Sequence, residues 1–308
     1  MHQVVAEYQR FAELIRRVLP DAPPGPGAAE TEAAVQVERG IVLLDALVAP
    51  NETSGWAIVD RLIRLAAQGR IDQIEFVDAA GHHRDVYRPM TIYAWLVAFR
   101  ILYEVLPRQE FGRWDEGLRP WCDLLEAELG PLALSDDDAG GGTAAVRGGS
   151  VAEAAWTALA LHVAGKIFVR DAWTDLAADA FGRLARGQQA SGAFLRASPS
   201  DHPELRWYHE LAILHAAASY AVQAEDRTIA RAIARGTAFV LAEIEPDHAT
   251  AQPWGLFAFI WNPAARPLAD QLLHAVEMRR GAVDGVSLIL LADALYCLRL
   301  FTDPGPQP

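Results

Sequence analysis

Cations are scarce in this 308-residue chain: 27 Lys and Arg stand against 40 Asp and Glu, a formal balance of −13. A sequence-independent grip on nucleic-acid phosphates needs an excess of cations, so the composition argues against nucleic acid as a partner. An acidic surface also repels anionic lipid. Long hydrophobic runs are missing too: the longest candidate, Val286 to Leu298, is interrupted by Asp293, and nothing approaches the roughly 18 unbroken apolar residues that a membrane span requires. Cysteine is limited to Cys122 and Cys297, which cannot build a disulfide framework and lack the clustered spacing of a zinc site. Both read as core thiols, and neither a metal nor a cofactor is expected. Lys166 is the single lysine, so Schiff-base chemistry has one candidate. The first residues carry Glu7, Arg10 and Glu13 at amphipathic-helix spacing and no secretory apolar region, from which a cytoplasmic location is expected.

What remains is ample apolar material, 52% of the chain, arranged with helical period almost throughout. Period-2 alternation bounded by turns is nearly absent; the exception is Ile71 to Val77, a short strand within a loop. The spacing predicts helices near 2–19, 29–49, 55–68, 89–106, 111–129, 150–168, 171–188, 204–223, 227–245, 253–262, 266–280 and 284–301. Twelve helices make six hairpins. Helices 2–19, 111–129, 171–188, 227–245 and 266–280 carry charge on one face, whereas 89–106, 150–168, 204–223, 253–262 and 284–301 are apolar on most sides. A helix apolar all round belongs inside a large protein, so the alternation predicts an inner and an outer ring, an all-α (α/α)6 toroid forming one domain over 1–301 with a tail at 302–308. Links from outer to inner helices are the long ones, at 69–88, 130–149, 189–203 and 246–252, and in a closed ring they gather at one mouth above the inner-helix N-termini.

At the end of the seventh predicted helix stands Arg186-Gly187-Gln188-Gln189-Ala190-Ser191-Gly192-Ala193-Phe194. This resembles the Gln-rich, Gly-x-aromatic repeat of the terpenoid cyclase and protein prenyltransferase superfamily, with Gln188, Gly192 and Phe194 at the matching positions and Phe in place of the usual Trp. In such a repeat the amide can bond exposed helix-end backbone, the glycine permits the turn, and the ring covers the joint. Fainter echoes occur at Gly112-Arg113-Trp114, Ser54-Gly55-Trp56 and Gln252-Pro253-Trp254. The resemblance implies an α/α toroid. It carries over no chemistry, because Asp136-Asp137-Asp138 lacks the spacing of the superfamily's Asp-x-Asp-Asp acid motif and the prenyltransferase zinc set has no recognisable counterpart.

Three polar clusters each precede an apolar helix. The densest is Asp201-His202-Pro203-Glu204-Leu205-Arg206-Trp207-Tyr208-His209-Glu210. Asp201, Pro203 and Glu204 form a helix-start signal, and Arg206 with Glu210 has the four-residue spacing of an ion pair, so the group either caps its helix or faces a pocket. His209 and His215 lie six apart and do not form the His-Glu-x-x-His zinc pattern; Tyr208 and His215, seven apart, share a face. The second cluster, Gly81-His82-His83-Arg84-Asp85-Val86-Tyr87-Arg88-Pro89, offers Tyr87 and Arg88 beside a helix start, with His82 and His83 reading as a solvated turn. The third, Glu245 to Trp254, supplies Asp247, His248 and Trp254. Gly140 to Gly142 and Gly148-Gly149 around Arg147 read as a flexible lid, without Walker or dinucleotide spacing.

The expectation is therefore a small-molecule enzyme or ligand-binding protein. His209, Glu204, Tyr208 and His202 are its candidate catalytic residues; Tyr87, Arg88, Arg206, Trp207, Asp247, His248 and Trp254 are its candidate substrate contacts. Its ligand is a small molecule of the terpenoid class by scaffold resemblance, or a carbohydrate or uronate by the polarity of the rim. The alternative is a non-catalytic protein-interaction toroid in which the histidines serve as caps.

Overall fold

A computed structural model describes residues 10, 13, 75–77, 83–85, 88–102, 111–129, 144–197, 202–244, 250, 252–278 and 285–302. Among them nine α-helices dominate: α1 (Arg88–Leu102), α2 (Phe111–Leu129), α3 (Ala144–Phe168), α4 (Asp171–Gly187), α5 (Pro203–Ala224), α6 (Arg227–Glu243), α7 (Leu256–Trp261), α8 (Arg266–Met278) and α9 (Gly285–Thr302). A 3-10 turn, Pro263–Ala265, precedes α8. The predicted helices 2–19, 29–49 and 55–68 lie outside the described residues, except that Arg10 and Glu13 are helical. No helix among the described residues is long and apolar enough to cross a membrane.

The helix predicted from 253 starts at Leu256, and two glycine- or histidine-containing segments also differ from the sequence reading. Gly148 and Gly149, expected in a lid, lie inside α3, which starts at Ala144. Each interior glycine costs a helix about 1 kcal/mol relative to alanine, a debit that the long apolar stretch after it outweighs. His83, expected in a turn, belongs to a second short strand: β1 (Glu75–Val77) and β2 (His83–Asp85) pair antiparallel, with Phe76 opposite Arg84.

The chain divides into two compact units, residues 1–120 with 272–308, and residues 121–271. In the first, α1 packs on α9. Both are buried along most of their length, from Met90 to Phe99 and from Ile289 to Leu298. Each carries a polar group that this burial must satisfy. Tyr93 in α1 donates its hydroxyl to the Asp293 carboxylate in α9, toward which the Cys297 thiol also points. A buried hydroxyl or carboxylate without a partner is costly, so the pair joins two helices whose residues stand 200 positions apart.

In the second unit α3 packs on α4 and α5, α5 on α6 and α7, and α4 on α6. The alternation of mostly apolar helices with helices charged on one face, read from the sequence, is present here. In α3 every residue from Val151 to Gly165 is buried except Glu153, and α5 is buried from Tyr208 to Ala221. By contrast α4 buries only Trp173, Ala177, Ala180, Phe181 and Leu184, and α6 buries a similar stripe from Ile229 to Val240, as amphipathic helices lying over a core should. The returns from α3 to α4 and from α5 to α6 take two residues each. In each return a non-glycine residue adopts the left-handed conformation, Val169 at φ 53° and Glu225 at φ 54°, and Asp226 then caps α6 by accepting from the Thr228 and Ile229 amides. The start of α4 is fixed to α2: Arg170 pairs with Asp123 at 2.8 Å and Trp173 Nε1 donates to Glu126 at 2.7 Å.

Candidate functional site

The link between α4 and α5 is built by the Gln-Gly-Phe segment. Gln188 is buried, and its Nε2 donates to the carbonyls of Gly192 at 2.8 Å and Ala232 at 2.9 Å. One amide thus closes its own turn and reaches the backbone of α6. Gly192 takes φ +97°, and a Cβ there would lie 2.4 Å from the Arg235 carbonyl oxygen. Phe194 lies over α6 where Gly236 leaves it room; a Cβ on Gly236 would come within 2.9 Å of the ring. Amide, glycine and ring therefore do what their residue types suggested. Gly192→Ala is expected to cost about 2–3 kcal/mol in urea unfolding, since the backbone becomes strained and the carbonyl must also move.

Two further amides of this link, Phe194 N–H and Leu195 N–H, donate to the two carboxylate oxygens of Glu210 at 2.9 and 2.8 Å. The expected pair between Arg206 and Glu210 is not formed. The carboxylate is buried and faces amides that can satisfy both of its oxygens at once, a better arrangement than a single flexible guanidinium. Sequence reasoning missed this role. The available signal was a lone carboxylate followed at once by the apolar run from Leu211.

Beyond Glu210, α5 presents a chain of rings. Tyr208 meets His209 edge-on at 5.6 Å and Trp254 at 5.5 Å between centroids. Trp254 meets Trp156 at 6.0 Å and His215 at 6.1 Å, and His215 stacks on Trp156 at 5.6 Å. Tyr208 and His215, placed on one face by their spacing, thus both reach Trp254. Trp156 was not anticipated. It comes from the middle of the apolar helix α3 and carries no local polar signal. His215 Nδ1 accepts the Gly255 N–H at 3.1 Å, which leaves Nε2 as the nitrogen that carries the proton. Gly255 stands at φ +73° with the Phe259 ring about 2.9 Å from where a Cβ would be, so glycine is needed for that approach. The indole of Trp254 donates to Gln252 Oε1 at 3.1 Å and is 0% exposed, which makes it a wall behind Tyr208.

The remaining candidates divide clearly. His202 and Glu204 are exposed, and His202 occupies the N-cap position of α5 without a side-chain capping bond. Arg206 and Trp207 are half-buried, with Arg206 Nε and Trp207 Nε1 buried and lacking an acceptor among the described residues. The structure therefore brings Tyr208, His209 and Trp254 together, with Arg206 and Trp207 next to Tyr208 in sequence, and leaves His202 and Glu204 on the outer turn. Arg88 opens α1 in the other unit; its side chain, together with Tyr87, Asp247, His248 and the Asp136–Asp138 run, lies outside the described residues. Among the described residues no group of three or more His, Cys, Asp or Glu side chains is arranged to hold a metal ion. No protein-family model matches the chain, and no curated protein or solved structure is similar to it.

Proposed function

We propose that the opening of α5 binds an oxygen-bearing small molecule, of the carbohydrate or uronate class, on a terpenoid-cyclase-like α/α scaffold. One observation carries the reading: two donors, Arg206 Nε and Trp207 Nε1, are buried without an acceptor among the described residues, at the two positions that precede Tyr208 and His209 in α5. Leaving a buried donor unmatched costs about 1–3 kcal/mol, and a ligand oxygen at this place would recover that cost on binding. An unmatched guanidinium N–H and an unmatched indole N–H suit a carboxylated or hydroxylated ring better than a bare hydrocarbon, which could accept from neither. In this reading the Tyr208–Trp254 wall packs the ring, Arg206 holds an acidic group, and His209 is the candidate acid-base residue. The scaffold proposal draws support from the joint at Gln188, Gly192 and Phe194.

The test is Trp207→Phe, which keeps a ring and removes the donor. Titration with glucuronate should show an affinity lowered by about tenfold or more, while the unliganded protein holds or gains stability, because an unmatched donor has been removed. A Trp207→Phe protein that is destabilised without ligand, or that binds glucuronate as well as the parent, would defeat the reading and leave an interaction module as the better account.

A further inference from the structure

Between the outer helices α4 and α6 runs an open groove of about 610 Å³. Gly182, Ala185 and Ala234 give it a small-residue lining, and three arginines, Arg186, Arg231 and Arg235, line it as well. Three features set these arginines apart from ordinary surface charge. First, the chain is poor in cations, 27 against 40 anions, yet three of them line one groove. Second, Arg231 and Arg235 are exposed and stand four apart on α6, a spacing at which like charges destabilise a helix, and neither forms an ion pair among the described residues. Arg186 is held only loosely, 4.0 Å from Asp179, whose other oxygen lies 3.3 Å from Arg183. Third, Gly182 sits inside α4, where glycine costs about 1 kcal/mol relative to alanine. A Cβ there would come 3.3 Å from Arg186 Nη1, so the glycine lets the guanidinium lie close over the helix.

We propose that this groove binds a small molecule carrying two or more phosphate groups. The planar fork of arginine matches phosphate oxygens two at a time, and several guanidiniums of like charge become mutually tolerable when anions sit among them. The groove's volume falls in the range of small-molecule sites. The acidic remainder of the chain repels a nucleic-acid backbone. The helix terminus itself contributes little, because Asp226 already takes the Thr228 and Ile229 amides. This site is independent of the one at the opening of α5.

Calorimetric titration of the full chain with sodium tripolyphosphate should give saturable binding. Arg231→Ala and Arg235→Ala should each weaken it by about tenfold or more, as expected for charge-assisted bonds, with unchanged helical circular dichroism. Arg227→Ala, on the same helix but outside the groove lining, should bind like the parent. Absence of binding, equal binding by the parent and the two groove variants, or binding of citrate or a polyglutamate peptide in place of tripolyphosphate would each overturn the proposal.

Discussion

Glu210→Ala should destabilise the protein by about 3–5 kcal/mol in urea unfolding, because it removes one carboxylate and leaves two buried amides behind. The Phe194 and Leu195 N–H groups lie 16 and 15 residues upstream of the acceptor they share. No backbone ladder is available to them in the irregular link between α4 and α5, so the glutamate is what holds the link against its helix. Glu210→Gln separates charge from shape. It keeps one acceptor oxygen and turns an NH2 group toward the second amide, so it should recover only part of the loss. An alanine variant that melts like the parent would mean that water or a shift of the link can satisfy the same amides.

The reason this contact escaped the sequence reading is instructive. Local spacing presented Arg206 at the i−4 position, and the pair rule for helices favours that neighbour. The rule holds for exposed faces. Glu210 is buried, and a buried carboxylate is drawn to whatever donors the tertiary structure supplies, here amides of a preceding link. The partnership of Tyr93 with Asp293 was hidden for the same reason: a polar residue in an apolar helix announces that it needs a partner and not where in the chain that partner stands.

What was legible is what short-range pattern controls. The apolar and amphipathic helices of the 121–271 unit alternate as their side-chain stripes predict, and 111–129 matches α2 end to end. The Gln188, Gly192 and Phe194 joint could be read because its elements lie within seven residues and each residue type permits few roles: an amide that donates, a glycine at positive φ, and a ring over a second glycine. The candidate site was legible only where one helix carried it. Tyr208 and His209 follow directly from the opening of α5, but the wall behind them needs Trp156 from α3 and the Gly255 amide that orients His215. Packing brings those groups together across 40 residues or more, and no spacing rule spans such distances.

Alkali should unfold this protein more steeply than acid-base chemistry at the surface would suggest, because three tyrosines keep their protons in the folded state. Tyr93 is held well above its ordinary value of 10.0, first by burial and then by the adjacent Asp293 carboxylate. Tyr296 is likewise raised, chiefly by burial. Tyr220, stacked on Phe181 at 4.0 Å, is raised to about 12, by burial and then by Asp226. A raised phenol pKa makes the folded state bind more protons than the unfolded state once the pH exceeds 10. Stability from these groups is therefore complete below that value and is lost as the pH rises toward the folded-state values. Each proton contributes a slope of about 1.4 kcal/mol per pH unit, so three contribute about 4 kcal/mol per unit between roughly pH 10 and 12. Over the two units between roughly pH 10 and 12 this removes up to about 8 kcal/mol, a large share of the usual net stability of about 5–15 kcal/mol. Urea unfolding near pH 9, 10 and 11 should show near-constant stability over the first interval and a sharp fall over the second. Tyr220→Phe should reduce the fall by about a third, since one of the three retained protons is gone. Equal slopes in parent and variant would remove Tyr220 from the set, and a stability curve flat to pH 11 would mean that the buried phenols ionise in place.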